Sequence, residues 1–233
     1  MADPTLADLA KMFDHSLLQP HLTDADLERG CALAAEYAVA SVCIKPYAVP
    51  LAVRLLAGTG VLVGTTVGFP HGGHATRVKV YEGGAAVDDG AAELDMVVNI
   101  GKVLGGDWHA VAADIKAVVD LAHRRGAKVK VIFENAVLAD EHKKQLCRVC
   151  GDAGADWVKT STGYAEGGAT IDDLKLMRTF SPPHVQVKAA GGVRSFDTLM
   201  AVRAVGVTRV GATATKAILD DAKERLGGDR PTA

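Results

Sequence analysis

Eight short, β-branched apolar runs alternate along this chain with longer amphipathic stretches, and that alternation leaves few architectures open. Strands are expected at Met12–Leu17, Val39–Lys45, Val61–Phe69, Leu94–Asn99, Lys128–Glu134, Asp156–Thr160, Val185–Ala190 and Thr208–Ala212. Runs such as Val61-Leu62-Val63 are apolar at successive positions, which suits strands covered on both faces, as in a parallel sheet. Between the runs the period changes. Trp108, Val111, Ile115, Val118, Val119 and Ala122 recur at spacings that place them on one helical face, and Leu146, Val149, Cys150 and Ala153 do the same. Thr23 with Asp26 and Thr170 with Asp173 have the form of a capping box at helix starts. Gly90, Gly126, Gly154 and Gly206 each stand where a helix gives way to the next strand.

Eight strand–helix units favour a closed α/β barrel, the (β/α)8 or TIM-barrel class, over an open doubly wound sheet. Such a barrel takes about 250 residues, so the 233 residues here are expected to form one domain, 1–233. The polar tail from about residue 224, ending Gly227-Gly228-Asp229-Arg230-Pro231, is expected to be mobile. The formal net charge of −2 offers no electrostatic case for nucleic acid or an anionic membrane as a partner. No apolar run is long enough to span a bilayer, and Met1–Lys11 carries Asp3 and Asp8 without the basic start of a signal peptide. Four cysteines, Cys31, Cys43, Cys147 and Cys150, are too few for a disulfide framework in a chain this long. A reduced, cytoplasmic setting is the expectation.

In a barrel of this class the chemistry sits at the C-terminal ends of the strands. Lys159 follows Trp157 and Val158 inside a strand, and Lys188 occupies the same kind of place on the next strand. A lysine facing the barrel interior is either paired with an acid or functional. Two of them change the balance. Neighbouring strands lie about 4.8 Å apart, and two ammonium groups at about 5 Å repel by about 3 kcal/mol at an effective dielectric near 20. Burial adds to the effect, and together they produce a neutral amine nucleophile of the kind used in Schiff-base chemistry. Asp95, between Leu94 and Met96, can serve as counter-ion and as proton carrier at a substrate hydroxyl. Asp14 is similar, or orients a neighbour.

A second group suits an anion. Gly191-Gly192 follow a strand and lead through Val193 and Arg194 to a helix opened by Ser195. Gly211-Ala212-Thr213 ends the last strand and also leads into a helix. Glycines permit close backbone approach, and phosphate sites recur in this fold after strands seven and eight. Thr160-Ser161-Thr162-Gly163 adds hydroxyls and a turn beside Lys159.

These segments resemble those of a known family. Val158-Lys-Thr-Ser-Thr-Gly163, Val187-Lys-Ala-Ala-Gly-Gly-Val-Arg194 and Glu93-Leu-Asp-Met-Val-Val-Asn99 are similar to signature segments of the deoxyribose-phosphate aldolases. So are Asp14–Leu18, Val42–Pro46, which holds Cys43, and Gly68–Gly72, in order over Phe13 to Thr215. The resemblance implies a metal-independent barrel enzyme with no cofactor, interconverting 2-deoxy-D-ribose 5-phosphate with acetaldehyde and D-glyceraldehyde 3-phosphate. It implies Lys159 as the Schiff-base lysine, Lys188 as the lysine that activates it and Asp95 as the acid/base. Thr160, Ser161, Thr162, Gly163, Gly191, Gly192, Val193, Arg194, Gly211 and Thr213 would hold substrate and phosphate, with Asp14 and Cys43 in support. A homo-oligomer, dimer or tetramer, is implied as well. The chain departs from the family at Gly211-Ala212-Thr213-Ala214, where a G-x-S-S or G-x-S-A turn is common, and at Asn135, where threonine is frequent.

Other readings compete. The nearest is another lysine-dependent aldolase acting on a different phosphorylated sugar. A metal-dependent aldolase could use His71 and His74, although two histidines without a convergent carboxylate are a weak metal signal. A sugar-phosphate-binding regulator has no need of an activated lysine. Cys147-Arg148-Val149-Cys150 reads as helix packing rather than redox chemistry, and Trp108 and Trp157 as packing.

Overall fold

The computed structural model describes residues 4–227, and eight parallel strands close into a barrel in sequence order. The strands are β1 Phe13–Leu17, β2 Ser41–Ile44, β3 Leu62–Val67, β4 Glu93–Val97, β5 Lys128–Ile132, β6 Trp157–Lys159, β7 Gln186–Ala190 and β8 Arg209–Ala212. The helices are α1 Leu6–Ala10, α2 Asp24–Glu36, α3 Val49–Leu56, α4 Thr76–Asp88, α5 Ile100–Leu104, α6 Trp108–Arg124, α7 Asp140–Ala153, α8 Ile171–Phe180, α9 Phe196–Ala204 and α10 Thr215–Gly227. β8 pairs with β1 through Phe13↔Val210 and Asp14↔Gly211, which removes both sheet edges. All eight expected strands are present; seven are trimmed by one to three residues, while β4 begins one residue early, at Glu93, and ends two early. The run expected to reach Asn99 stops at Val97, because the Asn99 side chain accepts from the Lys102 amide at 3.2 Å and opens α5.

Local signals act as elementary chemistry requires. Thr23 and Asp26 form a reciprocal capping box on α2. At Thr170 half of the box forms: its side chain accepts from the Asp173 amide. Gly154 closes α7 at φ 81, a conformation that a Cβ would strain. α10 runs to Gly227, so residues 224–227, expected in a mobile tail, continue that helix, and the remainder of the tail lies outside the described residues.

The apolar core is the shell between barrel and helices. Outward strand residues such as Phe13, Val42, Leu94, Val131, Val158 and Val187 pack there against Ile115, Leu146, Leu174 and Ile218. Because side chains alternate along a strand, the intervening residues face the barrel axis. They include Asp14, Ser41, Glu93, Asp95, Lys130, Lys159, Lys188 and Arg209, all buried and all polar, with Cys43, Val97, Ile132 and Trp157 beside them. Seven of these inward residues are ionisable, so a charged cluster takes up much of the space that aliphatic layers fill in other barrels. No described helix is long and apolar enough to cross a membrane.

Candidate active site

Register brings the two lysines side by side, since Lys159 pairs with Lys188 across β6 and β7. Each donates to the same atom, Asp95 Oδ2, at 2.7 Å. Their amine nitrogens are therefore no more than 5.4 Å apart, twice that distance. The bland and the functional expectations for Lys159 meet here: it is paired with an acid, and it shares that acid with a second cation.

Around this trio lies a larger network. Lys130 Nζ reaches Glu93 at 2.6 Å, Asp95 Oδ1 at 3.0 Å and Asp14 at 3.4 Å. Lys188 Nζ lies 2.5 Å from Asp14 Oδ2, a charge contact without hydrogen-bond alignment. Arg209 bonds Asp14 at 2.6 Å and Glu93 at 2.7 Å. The indole of Trp157 lies under this cluster, with Lys130 Nζ 5.6 Å and Arg209 Cζ 5.3 Å from its centroid. Asp14, Glu93 and Asp95 carry three formal negative charges; Lys130, Lys188 and Arg209 carry three positive ones. A protonated Lys159 would be a fourth cation in a buried cluster, where unbalanced charge is costly.

The titration directions agree with that count. Burial lowers the Lys159 pKa from its ordinary value; Asp95 opposes and Lys188 reinforces the fall. Burial also works against charge on Lys188, but Asp14 and Asp95 outweigh it and its pKa rises. For Asp95 burial is outweighed by Lys130, Lys159 and Lys188, which hold the carboxyl well below the usual range. The expected ordering of causes is corrected: burial, not repulsion by Lys188, is the larger influence on Lys159.

Above the lysines a cleft opens at the C-terminal ends of the strands. Lys159, Lys188, Asp14 and Cys43 form its floor. Gly191, Gly192, Val193, Arg194, Gly211 and Thr213 form the wall from the β7 and β8 loops, and Thr162 and Gly163 the wall from β6. Gly191 and Gly192 are both left-handed, at φ 76 and 85, and Gly191 is crowded besides, since a Cβ there would come 3.0 Å from Gly168 Cα. Burial pushes the Cys43 thiol up to about 11, with its Sγ 3.9 Å from Asp95.

Two expected substrate contacts lie elsewhere. The Thr160 hydroxyl is fully buried and exchanges hydrogen bonds of 3.0 Å with both the carbonyl and the amide of Ala190, tying β6 to β7. Ser161 is also buried and does not line the cleft. Strand alternation accounts for Thr160, which follows inward Lys159 and so faces the helices.

Sequence reasoning missed Lys130, Glu93 and Arg209 as members of the network. A signal was available: each is a charged residue among apolar neighbours, two residues from a recognised inward position or from a strand partner of one. Ser16, at the end of β1, and Leu18, Gln19 and Tyr164 also line the cleft and were missed; the loops that carry the last three have no period. His71 and His74 stand outside the cleft, and among the described residues no group of three His, Cys, Asp or Glu side chains is placed to hold a metal ion. Cys147 and Cys150 are buried in α7, where burial raises both thiol pKa values.

Comparison with known proteins places this arrangement. The family described as DeoC/LacD family aldolase matches residues 8–219. A deoxyribose-phosphate aldolase of Rhodopirellula baltica is 56% identical over 227 residues, 97% of this chain and 94% of that protein. One from Thermococcus gammatolerans is 44% identical over 218 residues, 93% of this chain and 97% of that protein. Among solved structures, the tetrameric deoxyribose phosphate aldolase of Aeropyrum pernix superposes with a TM-score of 0.88 at 30% identity, covering 95% of this chain and 93% of that one. With near-complete coverage by both sequence and structure, this chain belongs to the DeoC/LacD aldolase family.

Proposed function

We propose that this aldolase reversibly cleaves 2-deoxy-D-ribose 5-phosphate to acetaldehyde and D-glyceraldehyde 3-phosphate through a Schiff base on Lys159. The observation that carries the assignment of roles is the charge-balanced cluster in which Lys159 is the one cation in excess. The neutral amine of Lys159 attacks the aldehyde carbon of the open-chain sugar. Loss of water leaves an imine, which takes a proton relayed by Lys188 to become an iminium, an electron sink. Asp95, directly or through water, takes the proton of the C3 hydroxyl, and the C2–C3 bond breaks. Its electron pair moves into the iminium to give an enamine, and glyceraldehyde 3-phosphate departs. Protonation at C2 and hydrolysis release acetaldehyde and the free lysine. Lys188 keeps Lys159 uncharged at rest and passes protons to and from the shared Asp95 oxygen.

The phosphate of the substrate is assigned to the β7 and β8 loops, at Gly191–Arg194 and Gly211–Thr213. There it gathers backbone N–H groups and the starts of α9 and α10, so that binding at the unreactive end positions the bond that breaks. The reading treats the chain as one barrel domain working in the cytoplasm as a homo-oligomer; four buried, unpaired cysteines are in keeping with a reducing compartment.

The test is intact-mass spectrometry after incubation with acetaldehyde and sodium borohydride, followed by peptide mapping. The expected result is one reduced two-carbon adduct on Lys159, blocked by deoxyribose 5-phosphate and absent in Lys159→Leu, which folds but does not turn over. Labelling at another lysine, or turnover retained in Lys159→Leu, rejects the assignment.

A further inference from the structure

β5 ends at Ile132, and two residues later Glu134 adopts φ 62 and ψ 63, the left-handed region that costs any residue with a Cβ. Ala38 is the other non-glycine residue at positive φ among those described, and it lies just past the end of α2, where a left-handed residue is ordinary. Glu134 ends no helix. Its conformation has a local cause. The Phe133 amide donates to Lys159 O and the Asn135 amide to Thr160 O, both at 2.9 Å. Amides two residues apart thus bond carbonyls only one residue apart, a step that a regular parallel ladder does not make. The left-handed residue between them absorbs the difference.

That turn buries the Glu134 side chain against the loop after β6. Both carboxylate oxygens lie 3.3 Å from the Thr162 amide, and the Thr162 hydroxyl donates to Oε2. Its hydrogen-bond partners among the described residues are all on Thr162, whereas Glu93, also buried, is held by Lys130 and Arg209. The chain of bonds continues. The Tyr164 amide donates to Thr162 Oγ1 at 3.0 Å, which leaves the hydroxyl hydrogen for Glu134. The Tyr164 hydroxyl then donates to Leu18 O, beyond β1, at 2.8 Å, and its ring stands edge-on to Phe69 at 5.3 Å. One series of contacts thus crosses the mouth of the cleft from the end of β5 to the end of β1. Thr162, Tyr164 and Leu18 line the cleft and Glu134 does not.

We propose that Glu134 is a positioning residue for the reaction: its carboxylate holds the Thr162–Tyr164 rim across the cleft, and the rim orients the sugar phosphate relative to Lys159. The inference rests on the Schiff-base reading above. It separates two events that share Lys159. Capture of acetaldehyde needs only the amine, whereas cleavage needs a long substrate held in register from phosphate to C1.

The experiment compares native enzyme, Glu134→Gly, Glu134→Gln, Thr162→Val and the Glu134→Gly/Thr162→Val double variant. Glycine accepts the left-handed backbone without a Cβ, so Glu134→Gly removes the carboxylate and keeps the turn. Expected for Glu134→Gly is borohydride labelling of Lys159 by acetaldehyde within about two-fold of native, with kcat/KM for deoxyribose 5-phosphate lowered about ten- to a hundred-fold. Glu134→Gln, which keeps one acceptor, recovers part of the loss, and the double variant is no worse than Glu134→Gly, because both changes cut the same link. Cleavage unchanged in Glu134→Gly, or cleavage and labelling falling in parallel, overturns the positioning role. If Glu134→Gly does not fold, Glu134→Asn, whose side chain tolerates the left-handed turn but is one carbon shorter, must show the same split, and its failure to do so overturns the role equally. Native enzyme left unlabelled at Lys159 overturns the Schiff-base reading itself, a result distinct from any behaviour of the variants.

Discussion

Replacing Lys188 by methionine takes one cation out of the barrel and leaves Asp14 and Asp95 to be neutralised by what remains. Lys159 is the group able to respond. With its amine at most 5.4 Å from that of Lys188, twice the 2.7 Å that each makes to Asp95 Oδ2, the lost repulsion is about 3 kcal/mol at an effective dielectric near 20. That favours the ammonium form of Lys159 by roughly a hundred-fold. The variant cluster is charge-balanced with Lys159 protonated, so Lys188→Met is expected to lose its nucleophile to protonation. The assay is the rate of Lys159 labelling by acetaldehyde and borohydride as a function of pH. At neutral pH the rate should fall by roughly a hundred-fold, and raising the pH should restore it, because the amine is still present and only its protonation has changed. A labelling rate unchanged at neutral pH, or a loss that higher pH does not restore, refutes the charge-balance argument. It would mean that Lys188 acts by geometry rather than by charge.

Arg209→Leu strips the side chain that bonds Asp14 at 2.6 Å and Glu93 at 2.7 Å, and urea denaturation should register a loss of about 3–5 kcal/mol, as for other broken buried pairs. A loss below about 1 kcal/mol would place that pair outside the stabilising network. Thr160→Val should lower stability by about 1–3 kcal/mol through the two broken bonds to Ala190, with KM unchanged; a raised KM would return Thr160 to the substrate contacts. Stability should also fall with acid in a defined window. Burial holds the His15 imidazole at about 4 against an ordinary 6.5. The unfolded chain therefore binds the proton first, so stability is full above pH 6.5 and declines as pH drops toward 4, by about 3 kcal/mol in all. Asp14 and Asp95, both held below the usual carboxylate range, add their losses only below about pH 4. Unfolding free energies measured from pH 7 to 4 should slope in the native chain and flatten in His15→Gln.

Period and spacing carried most of the fold. β-branched runs of five to nine residues, separated by helical periods, could form little but a strand–helix alternation, and all eight strands fall on the expected segments, with β4 alone starting one residue early. Lys159, Lys188 and Asp95 were legible because a lysine or aspartate inside an apolar strand is costly unless it is used. Strand order around the barrel then brought those lysines together. The sequence by itself thus determined the alternating architecture, the inward lysines and the glycine turns that close the strands.

Tertiary structure decided what those residues do to one another. That one oxygen of Asp95 serves both lysines depends on the register of β4 against β6 and β7 and on the closure of the barrel, neither of which is encoded in a local pattern. The same holds for Lys130, Glu93 and Arg209, whose charges matter because three other strands bring partners within reach. Thr160 shows the reverse: its place beside Lys159 in sequence suggested a contact with substrate, and alternation turned it toward the helices. Glu134 could not have been read at all, since a strained backbone and a bond to Thr162 arise only once β5 and β6 fall out of step. Local sequence sets which groups a strand can present, while the free energy of a buried charge depends on every neighbour within a few ångströms, and those neighbours come from across the barrel.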